Sequence, residues 1–316
     1  MNIKVRENSV KSRFQFAEHP WVSLLVTLMA VLTVFLFVVV LGTLAGIPGD
    51  SPCRLLLIPT LSHLIVLFLI VPFGLRLPYG KRSLREYLDD IRLSNVTPFI
   101  PLFVLGVSCA LFLLMSSTLT SIAYRLAEGL PITRSFLREL IDLAANLPPD
   151  SPSYIVSFPA IFEEVLWRGV MLRLFRRMYT ERQTILITAL GFGLLHLFNL
   201  VGGGDPTFVV HQIVWSSVLG FFYGYLVFRV DSLLPAMLFH YLVNLFIGSF
   251  GVYLQRQAST EVAMLYSFIS VCIVVPLLIL WVKLFASKRL PNPTSRDAGI
   301  PVGAACALET KGDKQS

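Results

Sequence analysis

Eight apolar stretches, each close to 20 residues long, recur along this 316-residue chain at about 22–44, 55–75, 98–122, 153–175, 184–201, 207–228, 232–250 and 262–285. A helix rising about 1.5 Å per residue needs about 20 residues to cross a hydrocarbon layer of roughly 30 Å. Inside that layer no water pairs with backbone N–H and C=O groups, so runs of this length must satisfy them internally, as helices. The sequence therefore predicts an all-α, polytopic membrane protein with about eight transmembrane helices. Composition agrees: 14% of residues are charged, where a soluble domain carries about a quarter.

The net charge of +7 invites a nucleic-acid partner, but the basic residues alternate with the apolar stretches, and no nucleic acid is expected. If the N-terminus is cytoplasmic, the inside segments hold 20 of the 26 Lys and Arg residues: the leader, Arg76 to Arg92, Arg173 to Arg182, Arg229, and Lys283 onward. Outside lie Arg54, Arg125, Arg134, Arg138 and Arg256, and Arg168 falls within a span. The positive-inside rule then predicts a multi-pass protein of the plasma membrane with both termini cytoplasmic and the lipid bilayer as its surround. Cys53, Cys109, Cys272 and Cys306 are scattered singly, without metal-ligand spacing or a disulfide framework. Cys306 opens a prenylation-like box that is not C-terminal and cannot serve as one.

The chain divides into a cytoplasmic leader at 1–21, N-terminal transmembrane helices with amphipathic connectors at 22–150, a helix bundle carrying polar groups at 151–250, a last span at 251–287 and a disordered cytoplasmic tail at 288–316. The long polar leader favours a retained first helix over a cleaved signal peptide. Leu84, Tyr87, Leu88 and Ile91 recur at helical spacing among charges, as do Ile132, Phe136, Leu140 and Ile141. Both read as surface-lying connector helices.

The C-terminal half carries the residues that a lipid-facing helix would avoid. Glu163, Glu164 and Arg168 lie within one apolar stretch, and an ionisable group costs on the order of 2.5–3.5 kcal/mol or more at the centre of a span. Glu164 and Arg168 are spaced for a helical ion pair with the acid N-terminal, which leaves Glu163 without a local partner. His196 follows Gly191-Phe192-Gly193, while His240 and Asn244 lie a turn apart on one helix face. Counted from the nearest charged helix end, Glu163, His196 and His240 fall at roughly 15, 21 and 14 Å at 1.5 Å per residue, a similar layer. His63 and His211 lack such companions and read as structural.

A carboxylate, two imidazoles and an amide in a partly dry cavity suit hydrolysis. Low-dielectric surroundings favour the neutral forms of carboxyl and imidazole, which suits proton transfer near neutral pH. Glu163 and His196 can hold a water and take its proton, and His240 and Asn244 can donate to the oxyanion formed at a carbonyl. No Ser, Thr or Cys accompanies them in a nucleophile motif, so direct attack by water is preferred. One Glu and two His also form a catalytic zinc set. There is no His-Glu-x-x-His, and a metal-free mechanism is preferred, with no cofactor expected and zinc as the alternative.

Glu163-Glu164-x-x-x-Arg168, then Phe192-x-x-x-His196, then His240-x-x-x-Asn244, in this order on separate apolar helices, resemble the CPBP family. That family holds the type II CAAX prenyl endopeptidases and bacteriocin-processing or immunity proteins, formerly grouped as abortive-infection proteins. The resemblance covers about 153–250 and the eight-helix plan. It implies a glutamate-type intramembrane endopeptidase in which Glu163 and His196 activate water, His240 and Asn244 stabilise the transition state, and Glu164 and Arg168 shape the site. Gly220-x-x-x-Gly224 is similar to the family's glycine-bearing helix, and its physical reading is close helix packing. The implied partner is a membrane-anchored protein or peptide substrate, prenylated or not. The rivals are a catalytically silent relative acting as an immunity factor or scaffold, and a proton-coupled transporter. A transporter would more readily show internal repeats or discontinuous helices, and none is evident in the sequence.

Overall fold

The computed structural model describes residues 14–48, 51–80, 83–138, 157–201, 203–257 and 260–290. The leader to residue 13, the end of the connector at 132–141, the first residues of the fourth span and the tail from 291, with Cys306, lie outside them. A 3₁₀ turn at Phe16–Glu18 leads into α1, Pro20–Leu44. Helix α2 is α-helical over Pro52–Ile65 and π-helical over Val66–Leu75. It is followed by α3, Leu84–Asp90, and α4, Phe99–Ala127. Helix α5 is α-helical over Pro159–Glu164, π-helical over Val165–Met171 and α-helical again over Leu172–Arg176. Then come α6, Glu181–Leu195; α7, Phe198–Val201; α8, Pro206–Val230; α9, Leu234–Gln257; and α10, Thr260–Arg289. No strand occurs among the described residues.

Six of these rods are long and apolar enough to cross a membrane, α6 and α7 counting together as Glu181–Val201. The chain is an all-α integral membrane protein. The helices run past the apolar stretches where polar side chains cap them, because hydrogen bonding rather than hydropathy decides where a helix stops. Thr180 and Gln183 form a capping box that starts α6 ahead of the predicted 184, and Asp205 accepts from Phe208 N at the start of α8. The rod predicted at 184–201 breaks at His196–Leu197, so it is two helices rather than one.

Helix α5 sits at the centre. Every residue from Glu164 to Phe175 is buried, as befits a helix surrounded by others rather than by lipid. Helix α6 packs along α8, and α9 packs along α4 and against α5, while α10 lies against α4 and α8. Small residues set the spacing. A Cβ on Gly191 would stand 2.8 Å from the Trp167 ring, and one on Gly224 would stand 3.2 Å from Ile185. At Gly193 an added Cβ would strike Ser217 Oγ and come within 2.6 Å of the Ile213 carbonyl oxygen. A backbone atom cannot swing aside, so Gly193→Ala should destabilise the protein by about 1–3 kcal/mol. Unfolding in detergent measures this, and a variant as stable as the parent would show that α6 and α8 have slack at this crossing.

The basic segments gather on one face. Arg92 Nε and Arg173 Nη2 both donate to Asp231 Oδ1 at 2.8 Å, and Asn95 Nδ2 donates to the Asp231 carbonyl. Arg177 donates to the carbonyls of Ala17 and Pro78, and Trp21 Nε1 donates to Tyr179 Oη. Burial pushes the Tyr79 hydroxyl pKa up on this face, against the pull of Arg173. Helix α3 starts in a Ser83–Glu86 capping box. It is less superficial than its periodicity implies, because Tyr87 and Ile91 are fully buried in the bundle while Leu84 stays exposed.

Candidate active site

Two adjacent carboxylates on α5 meet opposite environments. A helix turns about 100° per residue, so neighbours cannot share a face. Glu164 points inward with no exposed side-chain surface, whereas Glu163 keeps 29% of its side chain exposed. Arg168 is equally sealed, and its Nη1 donates to Glu164 Oε1 at 3.1 Å, the ion pair expected from the spacing. Its Nη2 donates to the carbonyl of Gly220 on α8, also at 3.1 Å. Gly220 allows this close approach, since a Cβ would lie 3.0 Å from Arg168 Nη2 and 3.2 Å from Ala189 Cα and would make its neighbours give by a few tenths of an ångström. A charge in such surroundings is tolerated when it is paired, although Arg168 Nε and Glu164 Oε2 are buried without a hydrogen-bond partner among the described residues. The rings of Phe192 and Tyr223 add to this, with the Arg168 guanidinium carbon 4.5 Å and 5.0 Å from their centroids. Desolvated cation–π contacts are worth about 2 kcal/mol.

His240, from α9, completes the cluster. Its Nδ1 lies 2.9 Å from Glu164 Oε1, and its Nε2 lies 3.8 Å from Glu163 Oε2. An ionised carboxylate only accepts, so Nδ1 carries the proton in this contact. The imidazole thus spans the sealed carboxylate and the open one. It lies against the Tyr223 ring, centroids 4.9 Å apart and planes 22° from parallel, with the Phe192 ring edge-on at 5.6 Å.

His196 sits where α6 ends. Its Nδ1 is 3.2 Å from the Phe192 carbonyl oxygen and 3.3 Å from that of Gly193, so Nδ1–H donates to the last carbonyls of its own helix. This fixes the tautomer of the neutral ring and leaves Nε2 as an acceptor. His196 joins the group through Phe192, whose ring is edge-on to it at 5.4 Å. The cluster of Glu163, Glu164, Arg168 and His240 is direct, and His196 borders it across Phe192. Asn244 lies one turn beyond His240 on α9 with an exposed side chain. Of the two histidines read as structural, His63 donates through Nδ1 to the Pro59 carbonyl and stacks on Phe162, whereas His211 has its Nε2 buried without a hydrogen-bond partner among the described residues.

The sequence reading missed Tyr223 and the carbonyl of Gly220. Nothing in the spacing of α8 distinguishes Tyr223 from the other aromatic residues around it. The Gly220-x-x-x-Gly224 pattern did mark the face of α8 on which the two contacts lie, but only as a packing face.

Beyond the bonds already made, the Glu163 carboxylate, His240 Nε2 and His196 Nε2 are polar groups left without a hydrogen bond among the described residues. Residues 153–246 match the family model Rce1-like, described as type II CAAX prenyl endopeptidase Rce1-like. All six motif residues, from Glu163 to Asn244, lie inside that match, and the helices before and after it lie outside. This match supports the resemblance of residues 153–246 to the CPBP and CAAX protease family. No curated protein and no solved structure matches the chain.

Proposed function

We propose that the chain is a glutamate-type intramembrane endopeptidase that hydrolyses a peptide bond in a membrane-anchored protein or peptide. The observation that carries this reading is the His240 imidazole set between the sealed Glu164 and the open Glu163, inside the segment that matches a protease family.

The hydrogen bonds support one division of the work. Glu163 reaches the surface of the cluster and can polarise a water. His196, with Nδ1–H spent on helix carbonyls, offers Nε2 to take that water's proton. His240, with Nδ1–H held by Glu164, presents Nε2–H in its protonated form to the oxyanion that develops on the attacked carbonyl. Glu164 holds the His240 ring through Nδ1, and Arg168 holds Glu164 in turn through Nη1. Asn244 is a second donor. Its loss in Asn244→Ala should leave residual cleavage, lower by about 10²–10³-fold. Full activity in that variant would remove Asn244 from the site.

A metal-free mechanism is the preferred reading, with zinc as the alternative. Glu164 Oε1 serves Arg168 and His240, and both Nδ1 atoms are engaged, so the Nε2 atoms of His196 and His240 and the Glu163 carboxylate are the groups a zinc ion would take. Stoichiometric zinc in active enzyme, lost together with activity on chelation, would overturn the metal-free reading.

The substrate is to be found by comparing the C-termini of membrane proteins in cells with active protein and with Glu163→Ala. New termini should accumulate only with the active form. If purified wild type and Glu163→Ala leave farnesylated and unprenylated membrane-anchored peptides equally uncut, the immunity-factor or scaffold reading takes over. The plasma membrane is the proposed location, with the Arg-rich face cytoplasmic, and protease protection of tagged termini tests that sidedness.

A further inference from the structure

Helix α8 carries none of the six motif residues, yet one of its side chains touches two of them. Tyr223 is 1% exposed. Its ring lies nearly parallel to the His240 imidazole with centroids 4.9 Å apart, and its centroid is 5.0 Å from the Arg168 guanidinium carbon. The ring of Phe239, the residue before His240, meets it edge-on at 5.3 Å. Its hydroxyl, by contrast, is buried without a hydrogen-bond partner among the described residues. The ring makes the contacts and the hydroxyl does not.

We propose that Tyr223 is a positioning residue for His240, a proposal that rests on the reading of the site as catalytic. An imidazole held at one nitrogen by Glu164 can still rotate about the bond that joins it to its Cβ. A flat ring close to parallel beneath it opposes that rotation, and the Phe192 edge blocks a second direction. The Nε2 vector toward Glu163 is then fixed before substrate arrives, which is where catalytic geometry matters most: a misplacement of about 1 Å costs about 10²-fold in rate. The same ring presents its electron-rich face to Arg168, so the residue that anchors Glu164 and the residue that Glu164 orients share one platform.

The test compares Tyr223→Phe, which keeps the ring, with Tyr223→Leu and Tyr223→Met, which remove it, each in the full chain in detergent and checked for folding by size-exclusion chromatography and thermal unfolding. Two readouts are needed. The first is kcat and KM on a peptide that the wild type cleaves. The Phe variant should stay within about threefold of wild type, and the ring-less variants should lose about 10–100-fold in kcat with KM held, the loss expected of misplacement. The second needs no cleavage: nitrogen-15 and proton spectra of labelled histidine, with the His240 signal identified by its disappearance in His240→Gln. The downfield Nδ1 proton of a ring bonded to a carboxylate should persist in the Phe variant and broaden or vanish in a folded ring-less variant. Two results overturn the proposal. One is an unchanged His240 signal in a folded Leu or Met variant, and the other is its loss in the Phe variant. If wild type cleaves nothing, the catalytic reading falls, and the histidine spectra alone decide whether Tyr223 holds His240.

Discussion

Glu163→Ala is expected to abolish cleavage, with a loss of about 10³–10⁴-fold, while the protein stays folded. The size follows from removing the group that polarises the attacking water, since positioned acid–base groups contribute about 10²–10⁴-fold. The intact fold follows from the side chain's surroundings. Glu163 is 29% exposed and its charged neighbour, His240 Nε2, lies at 3.8 Å, beyond hydrogen-bond reach. An ionisable group inside a span is also a burden of on the order of 2.5–3.5 kcal/mol, so its removal should leave the unfolding temperature unchanged or raised. Glu163→Gln keeps the shape and should be as inactive. Cleavage in either variant at more than a tenth of the parent rate would mean that another group activates the water.

Glu164→Ala should behave differently: inactive and about 3–5 kcal/mol less stable. Arg168 would remain with no exposed surface and without its carboxylate, and an uncompensated buried charge carries a penalty of about that size. His240 would lose the acceptor on Nδ1 at the same time. The double variant Glu164→Leu with Arg168→Met separates the two effects. Replacing a whole buried ion pair by apolar residues of similar volume is often neutral or stabilising, so unfolding in detergent should return toward the parent value while cleavage stays lost. A stable Glu164→Ala would show that the pair does not hold the bundle. An active double variant would show that His240 needs no carboxylate behind it.

The contrast between the two neighbouring glutamates measures how far the sequence could be read. Their adjacency, the spacing from Glu164 to Arg168 and the similar depth of Glu163 and His240 are local quantities, fixed by the rise and turn of a helix. They led to the ion pair at 3.1 Å and the approach at 3.8 Å. Which glutamate is sealed and which stays open is not local. It depends on how α8 and α9 close over α5, and no count along the chain contains that. His196 illustrates the same division. Its place after Phe192 was legible, but the use of its Nδ1 on the carbonyls of its own helix requires the break in the rod at 196–197, which an unbroken apolar pattern conceals.

The sequence by itself determined that this is a membrane protein of helices, which stretches become rods, and which residues are too polar to lie there without a reason. Hydrocarbon thickness and backbone pairing impose those conclusions on any chain with this pattern. Only the tertiary structure decided that α8 is more than a packing element. Gly220 lends its carbonyl to Arg168, and Tyr223 lies beneath His240. Both contacts join residues far apart in sequence whose own helix shows no polar periodicity. They exist because the α6–α8 crossing is tight enough, at Gly193, Gly220 and Gly224, to bring one helix's backbone and ring against another's charges.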